Sequence, residues 1–371
     1  MKRVIISVTN DLATDQRVDR VCNTLVKMGF DVLLVGRELK QSLPLKPRQY
    51  RTKRMRLLYR KGPLFYAEYN LRLFIFLLFH KASLLVSNDL DTLPANYLAS
   101  RLLKIPQVHD CHEYFRGVPE LNGRPSTVRK WKKIEDYIFP RLHSVYAVNA
   151  SIAEIYRKEY GNEVRVIRNV PVRKMNIPSR NRAELGIPSD HRIILYQGAL
   201  NVDRGLEEAI LAMRFVKEKA VLVIIGTGDV AGQLKNLATR ENVDSKVIFT
   251  GAIPLEDLHA FTQLADLGLS IEKDVSLNYH YCLPNKFLDY IQAGVPVLVS
   301  PLPEMQAIVE KYEIGEMIAD HDPQHLAEKF DSMLYHENML AFYKENLEKA
   351  ATDLCWENEE QNLTTIYRPY A

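Results

Sequence analysis

The feature that most constrains the fold is a repeated alternation of short apolar runs with amphipathic helical stretches. In the first half of the 371-residue chain, runs such as RVIISV, DVLLV and SLLVSN alternate with stretches such as QRVDRVCNTLVKM. In that stretch Val18, Val21, Leu25 and Met28 share one helical face, and Gly29 provides a C-terminal stop. Strands that alternate with helices predict a parallel sheet with helices on both faces.

The same alternation stops once and then restarts, which predicts two domains. A stretch with prolines and small polar residues predicts a linker at 173–190, after a Rossmann-like domain at 1–172. The rhythm resumes with RIILYQ and AVLVIIG, which predicts a second Rossmann-like domain at 191–352. The predicted fold class is therefore α/β, with two doubly wound parallel-sheet domains that face a central cleft. Ligands are expected at the loops that follow the carboxyl ends of the strands.

Charge is distributed unevenly along the chain. Residues 1–180 hold 33 basic and 16 acidic residues, which leaves 16 basic and 30 acidic residues in the remainder. Much of the excess lies in KPRQYRTKRMRLLYRK at 46–61 and RKWKK at 129–133. Such stretches favour docking to an anionic membrane surface, or they form a solvated face that attracts the acidic half. Both interpretations stay open at this stage.

Cellular location is indicated by what the sequence lacks. The four cysteines are scattered without a C-x-x-C spacing, which is typical of a reducing compartment. The N-terminal MKRVIISVTND is too short in apolar residues for a signal peptide, and LFIFLLF at 73–79 is too short to span a bilayer. We expect a cytoplasmic protein, with peripheral attachment to the inner face of the membrane as its only contact with lipid.

The loop after the first strand, TNDLATDQRV, contains no glycine. A dinucleotide pyrophosphate needs a glycine-rich turn for close approach of the backbone, so this loop argues against a dehydrogenase. Asn10, Asp15 and Arg17 instead offer hydrogen-bonding groups to a polyhydroxylated or phosphorylated ligand. Alternatively, Thr14 or Asp15 caps the following helix.

Two further motifs follow strands of the first half. The Asp-Leu-Asp at 89–91 matches a pattern that holds a divalent metal on a nucleotide diphosphate, or it caps the next helix. VHDCHEYFRG places His109, Asp110, His112 and Glu113 within five positions. One histidine, oriented by a carboxylate, can act as a base or orient an acceptor. The spacing does not match a zinc helix, so no metal is expected, and His109 can equally be a core histidine satisfied by backbone.

In the second half, two loops join a strand to a helix through glycine. YQGALNVDRGLEEAI contains Gly198 and Arg204, and VIIGTGDVAGQL contains Gly226 and Gly228. Helix N-termini beside an arginine suit a diphosphate. Glycine also serves turn geometry alone, so the pattern leaves both interpretations open.

LPNKFLDYIQAGVPVLVSPLPE, residues 283–304, predicts a helix followed by a buried strand, with Gly294 at the end of the helix. Lys286, Asp289 and Tyr290 fall on one helical face at about 100° per residue. The lysine can meet a phosphate, and the aspartate can accept hydrogen bonds from a ribose diol. The alternative is an exposed ion pair worth about 0.3 kcal/mol.

In their order, these segments resemble the retaining glycosyltransferases of family 4, which have the GT-B fold. The resemblance runs almost end to end, from NDLATDQRV through VHDCHEYF, YQGALNVDRGLEEAI and LPNKFLDYIQAGVPVLVS to CWENEEQNLTTIY. It implies that the second domain holds a nucleotide-sugar donor, with UDP expected as the nucleotide, and that the first holds a glycan or lipid-diphosphate acceptor. It also implies sugar transfer with retention, in polysaccharide biosynthesis, without a cofactor, a catalytic metal or nucleic acid. A C-terminal helix at 353–371 would return to the first domain.

The resemblance also implies roles for single residues. Asp289 corresponds to a glutamate that binds the donor ribose, and Arg204 to a basic residue that neutralises the diphosphate. His112, with Asp110 beside it, would face the donor sugar and the acceptor, and would orient groups rather than ionise. Glu304 would lie near the donor sugar. Gly198, Gly226 and Gly228 would complete the donor site.

The sequence departs from the family pattern at three positions. Tyr281 replaces the first glutamate of a pair separated by seven residues, Asp289 is one methylene shorter than the second, and Ala199 replaces a frequent arginine. We hypothesise that Lys286 supplies the missing positive charge. These departures leave two other classes open, a nucleotide-sugar epimerase of the same fold and a non-catalytic sugar-nucleotide-binding protein.

Overall fold

The structure is a computed structural model. It describes residues 1–13, 15–40, 42, 44–118, 121–173, 180–217 and 219–371, with Leu185 described by its backbone alone. The chain forms two compact units, one made of Met1–Asn169 with Asn358–Ala371 and the other of Val170–Glu357.

The first unit contains a seven-stranded sheet in which every pairing is parallel. The strands lie in the order β3-β2-β1-β4-β5-β6-β7. They are β1 (Arg3–Asp11), β2 (Asp31–Glu38), β3 (Arg51–Arg56), β4 (Leu84–Asn88), β5 (Gln107–Cys111), β6 (Val145–Ala147) and β7 (Val164–Val166). The strand order reverses between β1 and β4, and such switch points are where open α/β sheets bind ligands.

Five helices connect these strands. They are α1 (Gln16–Lys27), α2 (Gly62–Phe79), α3 (Asp89–Leu103), α4 (Pro125–Ile138) and α5 (Ala150–Tyr160). Helices α2 and α3 lie side by side on one face of the sheet, where Phe65, Tyr69 and Leu73 of α2 pack with Ile5 and Leu85. Of the apolar face predicted for α1, Val18, Val21 and Leu25 are buried, whereas Met28 caps the end of the helix and is half-buried.

Strand β3 is the element that the sequence pattern did not predict. Its sequence, RTKRMR, was counted as part of a basic surface because it lacks an apolar alternation. It pairs only with β2, at the edge of the sheet, and Met55 is its one buried residue. Charged side chains are common on edge strands because they discourage pairing with a second molecule.

The second unit contains a six-stranded, fully parallel sheet. Its order is β10-β9-β8-β11-β12-β13. The strands are β8 (Arg192–Gln197), β9 (Ala220–Ile225), β10 (Val247–Gly251), β11 (Leu267–Ser270), β12 (Val297–Val299) and β13 (Gly315–Met317). Two doubly wound parallel sheets were predicted, and this fold class is confirmed.

Helices cover this second sheet. They are α6 (Leu206–Ala212), α7 (Ala231–Arg240), α8 (Leu255–Thr262), α9 (Leu277–His280), α10 (Asn285–Ala293), α11 (Pro303–Tyr312), α12 (Pro323–Tyr335) and α13 (Glu337–Asp353). Apolar clusters lie on both faces of the sheet. Part of the predicted linker, residues 174–179, lies outside the described residues. Its later part packs on this unit, since Arg180 pairs with Asp257 and Arg182 with Asp266.

The last helix, α14 (Trp356–Tyr367), carries the chain back to the first unit. Thr24 and Lys27 of α1 both donate to the carboxylate of Glu360. The buried hydroxyl groups of Tyr146 and Tyr367 lie 3.2 Å apart. Along the ranges that the structure describes, no helix has both the length and the apolar composition of a membrane span.

Candidate functional site

The second unit gathers polar side chains where β8, β11 and β12 end. Gln197 ends β8, Ser270 ends β11 and Ser300 follows β12. These three strands are neighbours in the sheet, so their carboxyl ends meet at one edge. Helix α10, which carries the predicted Lys286 and Asp289, packs on β11 and β12 behind this edge.

Glu272 lies at the centre of this edge. Its side chain is fully buried, and its carboxylate forms an ion pair with Lys286 and accepts a 2.9 Å hydrogen bond from Ser270. Arg204 approaches the same carboxylate, with 3.5 Å between Nη1 and Oε1. One buried carboxylate is therefore shared by two cations, which leaves the cluster with one net positive charge.

The two cations differ in their exposure. Lys286 is 7% exposed, and its ammonium group lies 4.6 Å from the centre of the Tyr196 ring. Arg204 keeps 22% of its side chain exposed, lies over the ring of Tyr279, and its Nε has no hydrogen-bond partner among the described residues. Arg204 can therefore meet a ligand, whereas Lys286 is enclosed.

Burial alone would favour neutral groups in this cluster. Desolvation acts to raise the pKa of Glu272, but the neighbouring Lys286 lowers it below its ordinary value. Desolvation likewise acts against the charge of Lys286, but Glu272 raises the pKa of the lysine above its ordinary value. Both groups are ionised at neutral pH, so the ion pair is real.

The surroundings of α10 correct one of the two interpretations of Lys286 and Asp289. They do not form an exposed ion pair with each other, because Lys286 is buried and bonded to Glu272. Asp289 is half-buried and accepts a 3.2 Å hydrogen bond from Gln197 Nε2. Tyr290, predicted on the polar face, is fully buried, and its hydroxyl accepts from the backbone N–H of Gln197. Gly294 ends the helix with φ +71°, as predicted.

The glycines of the two strand-to-helix loops pack against each other. A Cβ on Gly226 would lie 1.9 Å from the carbonyl oxygen of Gly198, and one on Gly228 would lie 2.3 Å from that of Leu200. The N–H of Gly198 donates to Ile225 and that of Gly226 to Gly251. The turn-geometry interpretation therefore accounts for Gly198 and Gly226, since their N–H groups are already engaged.

Two more positions border this edge. Glu304 lies in the first turn of α11 and is 8% exposed. The hydroxyl of the neighbouring Ser300 is buried without a hydrogen-bond partner among the described residues. Tyr281 follows the short helix α9, with its ring edge-on to His280. The roles of Glu304 and Tyr281 toward a donor sugar stay predictions.

In the first unit, Asp110 lies between two cations. It is fully buried, and Arg17 donates to it through Nη2 at 2.7 Å and Nε at 3.3 Å. The third donor of Arg17 reaches the carbonyl of Ile167, and the side chain is 3% exposed. Arg17 was predicted to bind an acceptor, but its donors face Asp110 because the ion pair is buried. Both side chains are enclosed, so the predicted contact of Arg17 with an acceptor is not supported, and the catalytic role of Asp110 stays a prediction.

His112 is the less buried of the two cations, with 15% of its side chain exposed. Its Nε2 lies 2.9 Å from Asp110, and its Nδ1 lies 3.7 Å from the carboxylate of Asp89. Burial opposes a charge on the ring, but Asp110 and Asp89 raise the pKa of His112 to about 9. This raised pKa favours the imidazolium form at neutral pH, whereas His112 was expected to orient groups without ionising, and its role toward a substrate stays a prediction.

Asp89 and Asp91 do not cap α3 and do not converge on one point. Asp89 has φ +56° and accepts a 2.7 Å hydrogen bond from the backbone N–H of His112. Asp91 accepts from the hydroxyl of Thr9, and burial raises its pKa to about 7. Over the described residues, no group of three or more His, Cys, Asp or Glu is placed to hold a metal ion.

The remaining predicted residues have mixed environments. Asp15 caps α1 by accepting from Val18, and it also accepts a 3.3 Å hydrogen bond from Asn10. Thr14, the other proposed cap, lies outside the described residues. Asn10 is exposed, so its contact with an acceptor stays a prediction. His109 is buried, contacts Ser87 Oγ at 2.9 Å, and burial lowers its pKa to about 4, so it is a neutral core histidine.

Sequence reasoning missed Glu272 and Gln197. A glutamate directly after the buried run LGLSI is unusual enough to have been a signal, because an unpaired carboxylate is costly at the end of a central strand. Gln197 had a weaker signal, since a glutamine at a strand end carries no charge.

Two family models match this chain in succession. The model described as Glycosyltransferase Family 4 matches residues 15–170, and the model described as Glycosyl transferases group 1 matches residues 179–350. The first match lies within the first unit almost throughout, and the second lies within the second unit.

Curated relatives are more distant. An uncharacterised glycosyltransferase of Methanocaldococcus jannaschii is 26% identical over 50% of this chain and 47% of its own length. The alpha-monoglucosyldiacylglycerol synthase of Streptococcus pneumoniae is 22% identical over 60% of this chain and 53% of its own length. The matched part of the chain thus spans about half the length of these relatives.

Solved structures match over the whole chain. Sucrose-phosphate synthase from Thermosynechococcus elongatus has a TM-score of 0.82 at 18% identity, and covers 100% of this chain and 99% of its own. Anabaena HepE in complex with UDP-glucose has a TM-score of 0.76 at 14% identity, with 100% of both chains covered. The chain therefore has the GT-B fold and carries two glycosyltransferase domains, a family 4-like domain followed by a group 1 domain.

Proposed function

We propose that this protein transfers a sugar from a UDP-sugar to a hydroxyl group of a glycan or lipid-linked acceptor, with retention of configuration. The observation that carries the proposal is the cluster of Glu272, Lys286 and Arg204, whose net positive charge lies at the strand ends of the second unit. Asp289 accepts from Gln197, which ends β8 at the same edge of the sheet, and a fixed cation and a carboxylate at one edge suit a diphosphate followed by a ribose.

In this proposal, Arg204 contacts the diphosphate and Lys286 does not. The pair formed by Lys286 and Glu272 orients the arginine, and the exposed part of the Arg204 side chain meets a phosphate oxygen. As the bond between the sugar and the diphosphate breaks, the leaving group becomes more negative. A donor already fixed in position stabilises that charge without reorganisation.

The transfer itself is proposed to occur on one face of the sugar. The bond from the anomeric carbon to the phosphate oxygen breaks, and its electron pair goes to the diphosphate. The acceptor oxygen forms the new bond on the same face, and its proton passes to the leaving phosphate. No protein nucleophile is needed, and the configuration is retained.

His112 is proposed to donate a hydrogen bond to a sugar or acceptor oxygen. Its Nε2 is engaged by Asp110, whereas Nδ1 lies 3.7 Å from Asp89, beyond hydrogen-bond distance. An imidazolium has no lone pair to accept a proton, so the group orients an oxygen and offsets negative charge.

The choice of donor and acceptor is supported by similar proteins. HepE was solved with UDP-glucose, and one relative is named for glucosylation of a diacylglycerol. A D-inositol 3-phosphate glycosyltransferase of Corynebacterium efficiens is 22% identical over 51% of this chain and 45% of its own length. We propose a lipid-carried acceptor, a cytoplasmic location with peripheral membrane attachment, and a role in polysaccharide biosynthesis without metal or nucleic acid.

A thermal-shift screen against UDP-, GDP- and ADP-sugars tests the donor, because a ligand that binds only the folded state raises Tm. Transfer is then assayed with chelator present, and the anomeric configuration of the product is read by NMR. Conversion of the nucleotide-sugar without an acceptor would favour an epimerase. Tight binding without transfer to any acceptor of a broad panel would favour a binding protein, and an inverted product would contradict retention.

A further inference from the structure

Part of the basic stretch at 46–61 is compensated within the first unit. Arg51 forms an ion pair with Asp31, and Arg56 pairs with Glu38. A third arginine of the stretch, Arg48, lies 3.7 Å from Asp19. These three arginines already lie beside carboxylates of the same unit. They therefore attract an external anionic surface only weakly.

The outer face of α2 and α3 is a different kind of surface. Helix α2 buries Phe65, Tyr69, Leu73 and Leu77 against the sheet, yet its opposite side is also apolar. On that side Phe79 is 82% exposed and Leu71 is 61% exposed. The apolar docking face, as we call it, consists of Leu64, Leu71, Ile75 and Phe79 of α2 with Leu98 and Leu102 of α3.

A helix that is apolar on all sides normally lies inside a protein or a membrane. Because successive residues of a helix turn by about 100°, Leu64, Leu71, Ile75 and Phe79 fall within one narrow stripe. Glu68 falls within the same stripe, but its side chain is only 11% exposed and its carboxylate is held by Arg72 and by the N–H groups of Leu58 and Tyr59. The exposed surface of the stripe is therefore mainly apolar, and monomeric proteins in water rarely leave such a surface uncovered. Something of apolar character is therefore expected to cover it.

The charges around the apolar docking face are positive. Residues 60–104 contain Arg60, Lys61, Lys81, Arg101 and Lys104, and also Arg72, whose charge is paired with Glu68 at 2.8 Å. The acidic residues in this range are Glu68, Asp89 and Asp91, and none is free at the surface. Glu68 accepts from the N–H groups of Leu58 and Tyr59, and the two aspartates face His112 and Thr9.

We infer that the apolar docking face inserts into the headgroup region of an anionic membrane, with the surrounding lysines and arginines against the lipid phosphates. Apolar side chains framed by cations are typical of helices that lie in a membrane interface. A second copy of the chain fits less well, because a two-fold dimer would bring these cations onto each other without exposed carboxylates to pair with. The inference builds on the proposed lipid-carried acceptor, which this surface would hold near the first unit.

The test is co-sedimentation of the full chain with vesicles of phosphatidylcholine, with and without phosphatidylglycerol. We expect binding to the anionic vesicles and a decrease at high salt. Leu71→Ser with Phe79→Ser should weaken that binding roughly tenfold or more, because two large side chains no longer leave water. Lys81→Glu with Lys104→Glu should weaken it as well.

Met339→Ser with Phe342→Ser is the matched control, since both side chains are exposed and lie on α13 of the second unit. Unchanged vesicle binding of the Leu71 and Phe79 variant would overturn the inference, as would equal binding to neutral vesicles. A dimer that dissociates in this variant would instead assign the face to a second copy. The Tm shift with UDP-glucose, measured on every variant, reports separately on the proposed function.

Discussion

The two units use the same arrangement at the edge of their sheets, a buried carboxylate between two cations. In the first unit Asp110 holds the enclosed Arg17 and the more exposed His112. In the second, Glu272 holds the enclosed Lys286 and the more exposed Arg204. In both units the enclosed cation holds the carboxylate in position, and the carboxylate in turn orients the more exposed cation.

The more exposed cations of the two units, Arg204 and His112, differ in whether their charge depends on pH. Arg204 stays charged at every accessible pH, and 22% of its side chain is exposed. His112 carries a charge that depends on pH, and a second carboxylate, Asp89, stands beside it. A permanent cation suits a ligand that is always anionic, such as a diphosphate. A cation already paired with the buried carboxylate of Asp110 suits a neutral, hydroxyl-bearing ligand.

The largest expected effect comes from breaking the enclosed pair of the second unit. Lys286→Met leaves Glu272 buried without its main counter-charge, and we expect the free energy of unfolding to fall by about 3–5 kcal/mol. Lys286→Met with Glu272→Gln should recover most of that loss, since no buried charge remains. Urea denaturation followed by circular dichroism measures both.

Lys329→Met is the matched control for this prediction. Lys329 pairs with Glu316 near the surface, with 38% of its side chain exposed. Its loss should cost less than about 1 kcal/mol. If Lys286→Met were equally mild, Lys286 would not be the enclosed cation, and the comparison with Arg17 would fail.

The second effect concerns the outward-facing cation. Arg204→Ala should reduce kcat/KM for the nucleotide-sugar by about 100- to 1000-fold, because a fixed donor to the leaving group is lost. Arg204→Lys should restore part of the activity, since it restores charge without the planar geometry. Arg214→Ala, which removes an exposed arginine paired with Glu241, should leave the kinetics unchanged. Full activity of Arg204→Ala would remove the diphosphate from this cluster.

The smallest expected effect is a dependence on pH that the His112 cluster shows and the Arg204 cluster does not. The pKa of His112 is raised from its ordinary value of 6.5 to about 9. The contribution of this histidine to the free energy of unfolding is therefore complete below pH 6.5 and is lost as the pH rises through 9. NMR titration of the imidazole should show that midpoint, and Asp110→Asn should lower it. UDP binding should show no inflection there, because Arg204 does not titrate. A midpoint near 6.5 in the wild type would contradict the cluster.

The sequence predicted the fold well because buried parallel strands and amphipathic helices carry strong local patterns. Strand β3 escaped detection because an edge strand needs little burial, so its basic residues gave no alternation. The loop glycines were ambiguous for a similar reason. Glycine is used both where a backbone binds a phosphate and where two backbones approach closely. Only the structure distinguishes these uses, because it shows that a Cβ on Gly226 would collide with the carbonyl oxygen of Gly198.

The sequence predicted which helix and loops carry the candidate site, but it did not predict which side chains pair with each other. Spacing placed Lys286 and Asp289 on one helical face, which invites pairing between them. The partner of the lysine is Glu272, 14 residues earlier, on a loop that only the fold brings to α10. Likewise, Arg17 and Asp110 are 93 residues apart. Pairs of this kind depend on how the strands are ordered, which no local pattern contains.

The return of the last helix to the first unit has a consequence for synthesis of the chain. A ribosome makes Asn358–Ala371 only after the whole second unit, yet Glu360 and Tyr367 contact Thr24, Lys27 and Tyr146 of the first. The first unit therefore stays incomplete while the whole second unit is translated. We expect the buried surface that later accepts Tyr367 to be the part of the nascent first unit most in need of protection until α14 has been made.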